Sequence, residues 1–390
     1  MNGTSGHRSF VPDDRFLSAN EVPGNKPMTT TDRVFNFSAG PAVLPLPVLR
    51  EAQRDLVALP GVGMSILEIS HRSATFEHIF TDAVGALRRV AGVPESYKIL
   101  LLQGGASLQF SMVPMNLLLP GKTADYIDTG SWSKKAIKEA RRVGTVNVAA
   151  SGASDNYNRI PGDDEIHLSS GAAYVHITGN NTIAGTEWPA LPDVGDRPIV
   201  NDASSHILSG PVDVRKYGMI YAGAQKNLGP SGVTLVIIRE DLIERSPDDL
   251  PSMLSYRTHA DSDSRFNTPN TFGVYILGLT LKWLISQGGL SGIAEVNERK
   301  AAKLYTEIDR TGFYKGTAAK DSRSRMNVTF RLGAEEAEKT FIAKAAAEGF
   351  DGLKGHRSVG GMRASIYNAF PEEGVDALVE FMREFERKQG

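Results

Sequence analysis

Ile199-Val-Asn-Asp-Ala-Ser-Ser205, with Tyr221-Ala-Gly-Ala-Gln-Lys-Asn227 close behind, is the part of the chain from which the fold is read. Each segment is a short apolar run ending in small and polar residues, and each loop carries one ionisable side chain, Asp202 or Lys226. Apolar runs of this kind are strands of a sheet covered on both faces, and in an open α/β sheet the carboxyl ends of such strands line the ligand crevice. Outward from these segments the same order repeats. Phe76, Ile79, Phe80, Ala83, Leu87 and Val90 recur at spacings of 3 and 4, which predicts a helix. Residues 98–103 then read as a strand, followed by Gly104-Gly105 and a second helical run. Further strands are predicted over 126–127, 173–178, 198–202, 219–222 and 233–239, with a helix over 131–142. The fold class is therefore α/β, a mostly parallel sheet covered by helices.

Near residue 290 the pattern changes. Gly288-Gly289 and Ser291-Gly292 punctuate the end of a long helical run. Beyond them a helix (293–309), a strand (326–332), a helix (335–348), a strand (362–367) and a last helix predict a small α+β domain. In that last helix Val375, Leu378, Phe381, Met382 and Phe385 make one apolar face. The expected organisation is a polar leader (1–32), a large domain (33–289) whose first segment can pack on the small one, and a small domain (290–390).

With 390 residues and a net charge of -2, the chain has no global bias toward nucleic acid or anionic membrane, so anion recognition must be local. Cysteine is absent, which excludes disulfides, thiolate metal sites and a Cys nucleophile. No apolar run reaches the ~20 residues that span a bilayer, and the richest, residues 275–285, is interrupted by Lys282. These features fit a cytoplasmic protein. No His spacing matches a metalloenzyme motif, so no metal is expected.

Lys226 sits among Gly223, Ala224, Gly229 and Pro230, which let something bulky approach the backbone. Desolvated there, it would lose proton affinity and become a nucleophilic amine. Taken alone, a lysine after a strand is more often solvated, and Asp202 could simply cap the next helix. The pairing favours another reading. Pyridoxal 5'-phosphate (PLP) needs a Lys to hold it as a Schiff base and an acid to keep its pyridine nitrogen protonated. It also needs a phosphate cradle, and Gln103-Gly-Gly-Ala-Ser107 opens a helix directly after a strand.

The longer motifs carry a family likeness. Asn36-Phe-Ser-Ala-Gly-Pro-Ala42, Ser70-His-Arg-Ser73, Gln103-Gly-Gly-Ala-Ser107, Asp128-Thr-Gly-Ser-Trp132, Tyr221-Ala-Gly-Ala-Gln-Lys-Asn227, Phe266-Asn-Thr-Pro269, Lys354-Gly-His-Arg357 and Gly360-Gly-Met-Arg-Ala-Ser-Ile-Tyr-Asn368 stand in order along the chain. From about Phe35 to Glu386 it resembles the phosphoserine aminotransferases, a family of class V aminotransferases of PLP fold type I. The resemblance implies that Lys226 is the Schiff-base lysine and Asp202 the partner of the pyridine nitrogen. It places Trp132 on the cofactor ring, Ala106, Ser107 and Gln225 at the phosphate, and Thr182 near the ring oxygen. Asn267 and Thr268 reach the same phosphate across a dimer interface, so a homodimer with shared active sites is implied.

On the substrate side, His71-Arg72 and His356-Arg357 are two His-Arg dipeptides far apart in sequence. Singly, each Arg reads as a surface ion-pair partner. A substrate with two anionic groups needs two anion sites, which the planar Arg fork suits. By the resemblance Arg357 clamps the α-carboxylate, while His71, Arg72 and His356 take the distal anion, the first two from the other subunit. The implied reaction moves an amino group between glutamate and 3-phosphohydroxypyruvate, with a related oxo acid of vitamin B6 biosynthesis as a further substrate. A relative using pyruvate or glyoxylate would not need the second anion site, and a silent scaffold would not need Lys226 and Asp202. A cysteine desulfurase is excluded by the absence of Cys.

Two positions depart from the family pattern: Asn180-Asn181-Thr182 replaces a common Asn-Glu-Thr turn, and Ser107 stands where some members have Arg. Asp261-Ser-Asp-Ser-Arg265 begins like a calcium loop but lacks the later ligand and glycine, and reads as a polar loop. Lys134, Lys135, Lys138, Arg141 and Arg142 form a basic run that reads as a solvated helix face.

Overall fold

The computed structural model describes residues 33–389, so the expected leader, residues 1–32, lies outside the described residues. From Phe35 onward the chain is one compact unit. Its centre is a sheet of seven strands: β1 (Tyr97–Leu102), β2 (Thr123–Asp128), β3 (Thr145–Ser151), β4 (Val175–Thr178), β5 (Ile199–Asp202), β6 (Met219–Gly223) and β7 (Thr234–Arg239). Their spatial order is β1-β7-β6-β5-β4-β2-β3. Only β7 runs against the others, pairing antiparallel with β1 and β6. The mostly parallel α/β sheet read from the sequence is the one the chain forms.

Most strand positions are buried because both faces of the sheet are covered. Ile99 and Leu101 of β1, Ile220 and Ala222 of β6, and Leu235 and Ile237 of β7 face one way. There they meet the helices α1 (Leu46–Asp55), α2 (Ala74–Ala91) and α5 (Thr271–Ser286). Leu100, Leu102, Met219, Tyr221, Val236 and Ile238 face the other way, against α3 (Gly105–Leu117) and α4 (Ser131–Ala140). The α2 positions read as one face, Phe76, Phe80, Ala83 and Leu87, are buried, and Ser73 caps the helix by accepting from Phe76 N at 3.2 Å.

A second core lies beyond α5. It packs α6 (Gly289–Asp309), α7 (Glu335–Ala347) and α8 (Glu372–Gln389) with an antiparallel sheet of β8 (Lys315–Gly316), β9 (Asn327–Arg331) and β10 (Met362–Ser365). All five α8 residues read as an apolar face are buried. The first described segment joins this core: Phe35–Asn36 pairs in parallel with Phe350–Asp351, and the Phe37 ring lies 4.3 Å from that of Phe370. One boundary differs from the sequence reading. Helix α6 begins at Gly289, not near 293, and runs through Gly292. A side chain at 292 would meet the Gln287 carbonyl at 2.2 Å, so this glycine serves a close approach and does not break the helix.

Topology positions the site. Strands β1, β2, β4, β5 and β6 are mutually parallel. The segments that follow them therefore leave the sheet along one edge: Gln103–Ser107, Thr129–Trp132, Gly179–Thr182, Ala203–Ser205 and Ala224–Lys226. Among the described residues no helix is long and apolar enough to cross a membrane.

Candidate active site

Asp202 closes β5 in register with Tyr221 of β6 and Thr178 of β4. It is 5% exposed. Its carboxylate accepts the Ser204 N–H at 3.0 Å and has no ion pair among the described residues. Burial pushes its pKa up, an effect opposed by the Ser204 hydrogen bonds and by the positive charges of Lys226 and His206. Such a carboxylate is best satisfied by a cationic N–H donor brought by a ligand.

Lys226 lies in the turn that follows β6 and is 9% exposed. Its Nζ donates to Thr182 Oγ1 at 2.7 Å. Burial pushes the ammonium down to about 8; Asp202 opposes the shift, and the positive charge of Arg363 adds to it. A lysine near 8 reaches the free amine at mildly alkaline pH, well before an ordinary lysine does. The Asn36–Ala42 segment passes beside it. Ala42 N donates to the Gln225 carbonyl at 2.8 Å, and a side chain at Gly40 would meet Lys226 Cγ at 3.5 Å.

The cradle expected at Gln103–Ser107 opens α3. Gly104 (φ 84°) precedes the helix without a side-chain cap, so the first N–H groups, those of Ala106 and Ser107 included, remain free for an anion. Gly105 (φ 65°) has nothing within 4 Å of where a Cβ would stand, which leaves open space before the helix end. Asn267 and Thr268 lie beside this turn within the chain, where Gln103 Nε2 donates to the Thr268 carbonyl at 2.8 Å. Trp132 opens α4. Its ring lies 6.4 Å from Phe110, and its Nε1 is buried without a partner. These residues fit PLP: a free helix end for the phosphate, an indole for the ring, a buried acid for the pyridine nitrogen and a depressed lysine for the aldehyde.

Sequence reasoning passed over Arg363. It stands in β10, half-buried, and its Nη1 donates to the Thr182 carbonyl at 3.3 Å while Nε is buried and unpartnered. Burial lowers its pKa. It thus faces the turn that holds Lys226 Nζ. The available signal was an arginine inside an otherwise apolar strand, Met362-Arg-Ala-Ser365. His356 holds Ser358 Oγ through Nδ1 at 2.7 Å. Burial pushes its pKa down, reinforced by the charges of Arg363, Arg357 and Lys135, so these three cations share its surroundings. Arg357 is exposed, as is Arg72 in the loop before α2, and neither makes an ion pair among the described residues. No hydrogen bond or ion pair joins His71 or Arg72 to His356 or Arg357 within the described chain. The structure therefore brings together Lys226, Asp202, Thr182, Arg363 and the His356 group, and leaves the first His-Arg pair apart.

This sheet edge, with a buried acid and a depressed lysine on neighbouring strands, has the layout of a class-V aminotransferase. The aminotransferase class-V model matches residues 34–378, and the chain belongs to that family. Within it, the similar proteins are phosphoserine aminotransferases. That of Lysinibacillus sphaericus is 55% identical over 359 residues, 92% of this chain and 99% of the relative. That of Desulfosudis oleivorans is 56% identical over 360 residues, with the same shares. Among solved structures, the phosphoserine aminotransferase from Bacillus circulans subsp. alkalophilus superposes with a TM-score of 0.91 at 52% identity, covering 92% of this chain and all of that one. The PLP-bound phosphoserine aminotransferase from Trichomonas vaginalis gives 0.87 at 40% identity, covering 90% of this chain and all of that one.

Proposed function

We infer that the chain is a phosphoserine aminotransferase, which transfers an amino group between glutamate and 3-phosphohydroxypyruvate to give phosphoserine and 2-oxoglutarate. The observation that carries this reading is Lys226 and Asp202, both buried and both without an ion pair among the described residues, on adjacent strand ends beside a free helix terminus. Pyridoxal 5'-phosphate, when bound, supplies the carbonyl that receives the amino group and the ring that accepts the electrons released from the substrate α-carbon. Lys226 would hold it covalently through Nζ, and its amine is placed to move the α-proton. Asp202 would keep a proton on the ring nitrogen. Ala106, Ser107 and Gln225 would hold the phosphate and Trp132 would cover the ring, while Thr182 accepts from Lys226 Nζ and would lie near the ring oxygen.

The α-carboxylate role expected of Arg357 is reassigned to Arg363. Arg363 lies against the Thr182 turn with most of its donors free, whereas Arg357 is exposed beside the half-buried His356. His356 and Arg357 then take the distal anion, the phosphate of one substrate or the side-chain carboxylate of the other. His71 and Arg72 join them from a second copy in a homodimer, in which Asn267 and Thr268 also serve the partner's cofactor phosphate. Supporting the dimer, the apolar residues Leu56, Val57, Met64 and Leu67 are exposed in the segment that precedes His71. A cytoplasmic location, a small domain beginning near residue 290 and use of a vitamin B6 pathway oxo acid belong to the same reading.

The test compares glutamate turnover with 3-phosphohydroxypyruvate, pyruvate and glyoxylate. Strong preference for the phosphorylated acid is expected, together with loss of steady turnover in Lys226→Ala. Equal use of pyruvate, or near-normal turnover without Lys226, would overturn the assignment.

A further inference from the structure

All five cations of the basic run are exposed, as a solvated face requires, but they do not have the same neighbours. Helix α4 buries Ser133, Ala136, Ile137 and Ala140. Of the cations around it, Arg142 pairs with Glu139 at 3.2 Å, and Lys134 lies over the Tyr157 ring at 4.6 Å. Lys135 turns back over Trp132. Its Nζ stands 4.0 Å from the centroid of the Trp132 ring, one helical turn earlier. Its charge also reaches His356 along with those of Arg357 and Arg363. No carboxylate lies within ion-pair distance of Lys135, Arg357, Arg363 or His356 among the described residues. Like charges gathered without an acid repel one another, and they persist together where an anion is to be received.

We propose that Lys135 is a specificity residue of the distal-anion site, placing an ammonium from across the Trp132 ring on the substrate phosphate beside His356 and Arg357. This rests on the reading of His356 and Arg357 as that site. The chemistry favours phosphate over carboxylate. A phosphate monoester carries a charge of about -1.5 to -2 and three acceptor oxygens near neutral pH. An arginine fork occupies two of them, and a lysine, a compact point charge with rotatable donors, suits the third. The side-chain carboxylate of glutamate has two oxygens and one charge, so it gains less. His356 is poised for the same group, because Ser358 holds its Nδ1 and leaves Nε2 for a ligand.

The experiment uses the holoenzyme and three variants, Lys135→Gln, Lys135→Arg and Arg357→Ala. Binding of 3-phosphoglycerate, which has both anions but no reacting oxo group, is titrated by calorimetry at low and high salt. Lys135→Gln should weaken it about tenfold, the loss expected for one charged hydrogen bond. It should lower kcat/KM for 3-phosphohydroxypyruvate by a similar factor through KM, and for glutamate by less. The visible band of the lysine-bound cofactor should stay in place, and Lys135→Arg should recover most of the affinity. If Arg357→Ala weakens 3-phosphoglycerate while Lys135→Gln binds within twofold of the parent, the proposal fails and the distal-site reading stands. If neither variant weakens it, both fail. If Lys135→Gln instead shifts the cofactor band or loosens the cofactor, Lys135 serves Trp132 and not the substrate, and the proposal is overturned.

Discussion

Replacing Arg363 by Gln tests the substrate orientation most directly. The guanidinium spends one donor on the Thr182 carbonyl at a long 3.3 Å, and its Nε is buried without a partner. It therefore has donors available for a two-point contact with a carboxylate. Each charged hydrogen bond is worth about 1.5–3 kcal/mol, so two amount to ~3–6 kcal/mol before relaxation. At 1.36 kcal/mol per decade, kcat/KM should fall by roughly 100- to 10,000-fold. Every amino donor carries an α-carboxylate, so the fall should be of similar size for glutamate and for alanine. Arg363→Lys keeps the charge but loses the fork, and should lie between Gln and the parent.

Arg72→Ala supplies the contrast. It should lower kcat/KM for glutamate and 3-phosphohydroxypyruvate by about 10- to 200-fold. The slow alanine reaction has no distal anion and should hardly change. Single-turnover rates of cofactor conversion with each amino acid give the comparison, and circular dichroism confirms that the variants fold. An Arg363→Gln enzyme that loses glutamate but keeps alanine would refute the reasoning, because Arg363 would then be reading the distal group.

Three further outcomes follow from the same geometry. Capture of PLP by the cofactor-free protein should speed up as pH rises through about 8, where Lys226 loses its proton, and then level off. Its midpoint should move down in Asp202→Asn and up in Arg363→Gln, since Asp202 raises and Arg363 lowers the lysine; a midpoint near the ordinary 10.5 would contradict a buried amine. Lys300, fully buried, donates to the carbonyls of Ile366, Tyr367 and Phe370 at 3.0, 2.7 and 3.1 Å. Lys300→Met removes the donor of all three carbonyls, of which that of Tyr367 keeps the Phe370 N–H at 2.9 Å, and should cost about 3–5 kcal/mol in denaturant unfolding, whereas a loss below ~1 kcal/mol would mean the turn relaxes to new partners. Finally, a Lys226→Ala chain mixed with an Asn267/Thr268 double variant should regain activity, since one site of the mixed dimer carries neither defect. No recovery despite demonstrated subunit exchange would count against cross-subunit sharing.

The parallel sheet and the buried Asp202–Lys226 pair were legible because both rest on local pattern. Ile199–Asp202 and Met219–Gly223 begin apolar and are buried throughout, and the small residues after them mark turns where an ionisable group is presented. Arg363 was not legible in the same way. Its place beside Lys226 depends on the register of β10 against β9, Arg363 opposite Thr329, and on the approach of the 180–187 hairpin, neither of which a strand's own residues encode. Lys135 was hidden for the opposite reason. Five cations in a row read as one solvated face, and only the turn toward Trp132 separates it from Lys134. Gly292 misled through composition, since a glycine required by a close carbonyl contact looks the same in sequence as one that ends a helix.

The departure at Asn181 shows how the parts of the site are tied together. Its Nδ2 donates to the Thr129 carbonyl at 2.7 Å, and its Oδ1 accepts from Ile183 N at 3.3 Å and Ala184 N at 3.4 Å. A carboxylate can only accept, so the glutamate common at this position in the family could not make the bond to Thr129. A side chain at Gly130 would meet Asn181 Nδ2 at 2.3 Å, so glycine there and the carboxamide at 181 fit as a pair. The carboxamide thus joins the hairpin that carries Thr182 to the turn that starts the helix of Trp132. The neighbouring Asn180 makes the other connection. It donates to Ser205 Oγ at 2.7 Å, after Asp202, and to Asn327 Oδ1 at 2.8 Å in β9. Asn327 donates in turn to the Tyr367 hydroxyl at 3.1 Å, which donates to the Ala39 carbonyl at 2.9 Å, one residue before the glycine that packs on Lys226. Hydrogen-bonded buried polar networks fix relative positions, and this one is continuous from Thr129 to Ala39, with Asn180 Oδ1 buried and unpartnered. The two adjacent asparagines therefore hold the indole, the lysine and its threonine in one frame, and the carboxylate missing at 181 is a change in that frame and not in the proton-transfer pair.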